Sequence, residues 1–82
     1  MRHNQQLSDK ELQEAARVAM EGRNQSQIAR ELGVHRSLIT NALNANTVSR
    51  YASTLARIIE HCTDYRIETE TITRHRVIKK DG

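Results

Sequence analysis

The stretch QIARELGVHRSLITNAL, residues 27–43, falls into two short amphipathic pieces at Gly33, and this break constrains the fold more than any other feature of the chain. Glycine tolerates the left-handed backbone that ends a helix and turns the chain. A break of this kind lets the second helix cross the first steeply and project from the body, the helix-turn-helix arrangement whose second helix enters the major groove of DNA. The second piece has Ile39, Ala42 and Leu43 for an inner side. Its outer side carries only Arg36, Ser37, Thr40 and Asn41, polar groups short enough to let a helix sit deep against base edges.

The rest of the body must supply a core for these helices from limited material. The chain has 82 residues, no Phe and no Trp, so the core comes from Ile, Leu, Val, Met and many Ala. Alanine permits close helix approach but buries little area, which favours stabilisation by a partner chain. One domain is expected at this length. The net charge is +3, unevenly spread. From Gly22 to Arg50 there are Arg23, Arg30, Arg36 and Arg50 against Glu31 alone, while residues 8–21 carry Asp9, Glu11, Glu14 and Glu21 against Lys10 and Arg17. A basic middle beside an acidic flank fits a docking face for a polyanion, although a scattered solvated surface also explains such an imbalance.

Local signals place the elements. Residues 1–7 read as a polar, flexible arm. Ser8 and Glu11 have capping-box spacing, Leu7 and Leu12 staple spacing, and Leu12, Ala15, Ala16, Ala19 and Met20 recur at helical intervals up to the stop at Gly22. Asn24 and Gln27 form a second capping box before the stripe Ile28, Ala29, Leu32. After Gly33, Val34 is the apolar plug, and residues 36–43 make the third helix. Residues 44–47 are a polar loop. A fourth helix, Ser49 to Cys62, buries Ala52, Leu55, Ile58, Ile59 and Cys62, the last as a core thiol. Beyond Asp64, YRIETETITRHRVIKK is rich in Thr, Ile and Val without a helical stripe and reads as a strand. The expected organisation is an arm at 1–7, a helical body at 8–63 and a strand-like tail at 64–82.

The segment NQSQIARELGVHRSLITNALN resembles the phage Cro and lambda-repressor-like (Xre-type) DNA-binding domains, with Gln25, Ala29, Leu32-Gly33-Val34, Ser37 and Ile39 at the family's positions. The likeness continues into STLARIIEHC and spans roughly residues 10–62. Two departures bring the chain nearer to Cro: Ala42-Leu43 stands where many Xre-type domains have Trp-Glu, and the tail is strand-like. The resemblance implies a mostly α fold, a four- to five-helix helix-turn-helix domain with a C-terminal strand. It also implies a repressor that binds a palindromic operator as a dimer, encoded by a phage or plasmid and acting in the bacterial cytoplasm.

On this reading Arg36 pairs bidentately with guanine O6 and N7, Asn41 pairs with adenine N6/N7, Thr40 offers its methyl to thymine, and Ser37 reaches a base edge or a phosphate. Gln25 holds a phosphate at a helix start. Asn44, Asn46, Thr47 and Arg50 are phosphate candidates that also suit plain turn chemistry. His35 either touches a phosphate or caps the third helix.

The tail offers no Gly, Pro or Asn between Arg66 and Lys80 for a hairpin, so it is expected to pair with its own copy across a two-fold at Ile72. Glu70 then faces Arg74, Glu68 faces Arg76, and Ile67 faces Val77, an intersubunit ribbon favoured by opposite charges across the pair. A disordered or self-packed tail is the alternative.

No catalytic set, cofactor site or small-molecule site is evident. His3, His35, His61 and His75 lie on different elements, without zinc-ligand spacing. There is neither a membrane-spanning run nor a signal pattern, so a cytoplasmic protein is expected. A DNA-binding antitoxin and a recombinase or excisionase accessory protein are the rival functions.

Overall fold

In the computed structural model, which describes residues 5–71 and 74–80, the chain is mostly helical with a small antiparallel sheet. Strand β1 (Gln5–Ser8) leads into α1 (Asp9–Met20), followed by α2 (Gln25–Leu32), α3 (Arg36–Asn44), a 3-10 turn (Val48–Tyr51), α4 (Ala52–Cys62), β2 (Tyr65–Thr71) and β3 (Arg74–Lys79).

Helix α1 starts where its capping box lies. The Ser8 hydroxyl accepts the Glu11 N–H at 3.3 Å, and the Glu11 carboxylate accepts the Ser8 N–H at 2.9 Å. Helix α2 is capped by Asn24 Oδ1, which accepts the N–H groups of Ser26 and Gln27. The second capping box is not formed. Gln27 donates its side chain to Glu31 one turn on, at 3.2 Å, because a carboxylate at i+4 is a stronger acceptor for its amide.

At the end of α2, Gly33 has φ +71°, and paired bonds from Gly33 N–H to the Arg30 carbonyl and from Val34 N–H to the Ala29 carbonyl close a Schellman motif. Most residue types take that φ only with strain, so this glycine favours the break between α2 and α3.

The core joins all the elements. Leu12, Ile39, Leu55, Ile58, Ile59 and Val77 are fully buried, and Leu7, Met20, Ile28, Leu43, Val48 and Ile67 complete the cluster with Ala16, Ala29 and Ala42. The Leu7–Leu12 staple pair thus lies inside it. Cys62 is only half-buried at the end of α4, not a full core thiol, and its partial desolvation raises its pKa. Helix α4 begins three residues later than expected, because Val48 is drawn into the core and residues 48–51 tighten into the 3-10 turn. No helix among the described residues is long and apolar enough to cross a membrane.

The sheet corrects two expectations. The flexible arm is in part a strand: Gln5, Gln6 and Leu7 pair with Val77, Arg76 and His75, since backbone pairing asks little of side-chain type. The tail is not one strand but a hairpin, with β3 in the middle of the order β1-β3-β2. Ile67 does face Val77 and Glu68 does face Arg76, but within one chain. The register becomes irregular between Thr69 and Thr71, so Thr71 rather than Glu70 is matched with Arg74. Ile72, the expected two-fold centre, lies outside the described residues.

One buried polar link was not anticipated. His75 on β3 has no exposure, and its Nε2 lies 2.7 Å from Asp9 Oδ1 in the first turn of α1.

Candidate nucleic-acid interface

Helix α3 has two unlike faces. Ile39, Ala42 and Leu43 are buried, whereas Arg36, Ser37, Thr40 and Asn41 are exposed together on the other side. From Leu32 to Ile59 the chain has no Asp or Glu, while Arg36, Arg50 and Arg57 fall in that span, so α3 lies within an acid-free segment. The side chains of Arg36 and Asn41 make no hydrogen bond or ion pair with the described residues.

Of the two readings of His35, the geometry gives the cap. Its Nδ1 accepts the Ser37 N–H at 3.2 Å and lies 2.8 Å from the Ser37 hydroxyl. That arrangement puts the ring proton on Nε2 and ties Ser37 to the start of the helix.

Thr40 donates its hydroxyl to Gln25 Oε1 at 2.9 Å, which joins the first residue of α2 to the outer face of α3 and leaves the Gln25 NH₂ as a donor and the Thr40 methyl uncommitted. Asn44 donates to the Thr40 carbonyl at 2.8 Å and so serves the end of its own helix. Asn46, Thr47 and Arg50 are exposed on the segment that follows and have no side-chain bond among the described residues. A shallow cavity of about 250 Å³, lined by Arg17, Met20, Glu21, Gln25, Leu43 and Asn44, opens between α1, α2 and the end of α3.

Two residues of α1 that sequence reading passed over hold α3 in place. The last carbonyls of a helix have no intrahelical partner, and α3 ends at Ala45 in extended conformation without a glycine cap. Gln13, which is buried, donates its amide to the Ala42 carbonyl at 3.1 Å and the Ala45 carbonyl at 2.9 Å. Arg17 donates Nε to the Leu43 carbonyl at 2.8 Å. The one signal available was a glutamine beside the Leu12–Ala16 stripe, at a position where a buried amide needs partners.

Helix α2 is tied to α4 in a similar way. Arg57 donates to the Leu32 carbonyl at 2.7 Å, and His61 Nε2 lies 2.6 Å from Glu31 Oε1. The His61 bond, then that from Gln27, holds the Glu31 carboxyl below its ordinary 4.5. A depressed carboxyl pKa favours the fold above the unfolded value, and the effect is lost as pH falls through the folded value, so this contribution disappears below about 4.5. Replacing His61 with alanine is expected to raise the Glu31 midpoint, read directly as a carboxyl chemical-shift titration; an unmoved midpoint would show that His61 does not set it.

Among the described residues no three His, Cys, Asp or Glu side chains converge as metal ligands. Comparison with models of protein families, with curated proteins and with solved structures finds no match to this chain.

Proposed function

We propose that the chain is a sequence-specific double-stranded DNA-binding regulator of the Cro-like kind, a helix-turn-helix protein that places α3 in the major groove of a palindromic operator. The observation that carries this reading is the division of α3. One side is locked into the core by Ile39, Ala42 and Leu43, while Arg36 and Asn41 stand exposed on the other with no side-chain partner among the described residues. Side chains of these two types match guanine and adenine edges, and the rigid helix behind them holds their spacing.

Gln25, through its remaining amide protons and the start of α2, is the backbone anchor, with Asn46, Thr47 and Arg50 as further phosphate contacts. Because Gln25 also holds Thr40, the anchor and the reading face are set by one hydrogen bond. Asn44 and His35 act in this reading through the helix they cap. Arg17 lines the same cavity as Gln25, but its guanidinium is committed to the Leu43 carbonyl and to Glu14, so it acts in this reading by holding the end of α3.

Selection of bound duplexes from a random pool tests the function and reports both motif and symmetry. The expected result is an inverted repeat, with affinity falling steeply as salt rises because bound phosphates release counterions. Arg36→Ala is expected to cost about 1–3 kcal/mol on the selected site and relax preference at one position, whereas Gln25→Ala weakens all sequences and changes preference only at the base that Thr40 faces. An unchanged motif with Arg36→Ala would remove α3 from the reading role, and a pool without enrichment would remove the function.

A further inference from the structure

The two ends of α3 are anchored by different means. Its start, where Arg36 stands, is set by the Gly33 turn and by the His35 ring, which accepts the Ser37 N–H. Both devices act within a few residues of Arg36. Towards the other end, beyond Asn41, the helix has no stop of its own, and Ala45 leaves it in extended conformation with φ −67° and ψ 142°.

The anchors of that end come from α1. The Gln13 amide nitrogen carries two protons and donates to two backbone carbonyls, that of Ala42 at 3.1 Å and that of Ala45 at 2.9 Å. Arg17, one turn further along α1, donates Nε to the Leu43 carbonyl between them at 2.8 Å.

Packing alone would not hold the helix end in the same way. Ile39, Ala42 and Leu43 are buried, but apolar burial is non-directional, and at Ala42 only a methyl group is buried. Hydrogen bonds weaken steeply as they leave line. Two bonds from one planar amide, to carbonyls three residues apart, therefore fix the tilt of the end of α3 and the direction in which the chain leaves it. An apolar residue in place of Gln13 would fill the same volume beside Leu12 and Ala16 and hold no carbonyl.

Base reading is sensitive to that tilt. A bidentate pair with an adenine edge needs both of its bonds in line at once, and recognition groups work only when held to within ~0.5 Å and ~10–20°. Asn41 immediately precedes Ala42, whose carbonyl Gln13 holds. Arg36 is six positions before Ala42, which is ~9 Å along a helix at ~1.5 Å per residue.

We propose that Gln13 is a positioning residue for base recognition. It seats Asn41 in the groove, with Arg17 as its lesser partner, and so sets the preference for adenine at one operator position without touching DNA. This role rests on the DNA-binding reading above.

The test is selection of bound duplexes by the parent chain and by full-length variants, each first shown to be folded by denaturant unfolding. Arg36→Ala and Asn41→Ala each flatten one position of the motif and so identify the two. Gln13→Met keeps the volume and removes the donors. It is expected to reduce preference at the Asn41 position by roughly tenfold, while the Arg36 position keeps its base. Ile58→Val, a loss from the buried core on α4, should lower stability and leave both positions as they are. Arg17→Met removes one of the three bonds from a half-exposed side chain, so it should move the Asn41 position by less, and it takes the place of Gln13→Met if that variant does not fold.

Equal flattening of both positions, or the same pattern from Ile58→Val, would reduce Gln13 to a stabilising residue and overturn the proposal. A parent chain that enriches no sequence removes the DNA-binding reading and this role with it. A parent chain that enriches a motif which the folded variant leaves intact removes the role of Gln13 alone.

Discussion

Ile39→Ala is expected to remove about 2–4 kcal/mol of folding free energy, the cost of deleting a large aliphatic side chain from a closed core. Ile39 has no solvent exposure and belongs to the buried cluster shared by the helices and the sheet. A chain of 82 residues has roughly 4–12 kcal/mol of stability in all at ~0.05–0.15 kcal/mol per residue. The loss is therefore between about a sixth and nearly the whole of that stability and would lower the melting temperature by ~10–25 °C. The reason the effect is so large lies in the composition. With Ala16, Ala29 and Ala42 at close approaches and no Phe or Trp, a few Ile and Leu side chains carry most of the buried area. Arg36→Ala on the opposite face of α3 should shift stability by no more than ~0.5 kcal/mol. Denaturant unfolding of both variants separates the two faces. Equal losses would mean that α3 is not divided into a core side and a reading side.

What could be read from the sequence divides by distance along the chain. Ser8 with Glu11, Asn24 as a cap, His35 as a cap and Gly33 as a left-handed stop all act within a few residues of themselves, and each appears where its chemistry placed it. The inner stripe of α3 follows in the same way from helical period. Contacts between distant segments left no such mark. Gln13 is bonded to carbonyls at Ala42 and Ala45, and a carbonyl carries no sequence identity, so nothing near Gln13 announces its partners. Strand β1 was hidden because main-chain pairing accepts Gln5 and Gln6 as readily as a β-branched pair would be accepted. The hairpin was hidden for a different reason: Ile72 and Thr73 lack turn chemistry, and the residue types across the pair, Ile67 with Val77 and Glu68 with Arg76, do not reveal whether the two strands belong to one chain.

The link between Asp9 and His75 supplies the other large effect. Asp9→Ala is expected to cost about 2–4 kcal/mol, since it leaves a fully buried imidazole nitrogen without its carboxylate and takes a negative charge from the first turn of α1. The residues are far apart in sequence and join the start of the helical body to the central strand of the sheet, so no local rearrangement can restore the bond. Asp9→Asn should lose much less, because its amide oxygen can still accept from Nε2. His75→Leu combined with Asp9→Ala should be milder than the sum of the single losses, as removing both members of a buried polar pair spares the desolvation of the one left behind. Hydrogen exchange adds the structural side of the test. With Asp9→Ala, protection should fall first in β1 and β3, whose amides depend on that strand staying docked, while α2 and α3 keep theirs. Losses that simply added in the double variant, with protection falling evenly across the chain, would show that the pair does not couple sheet to helices.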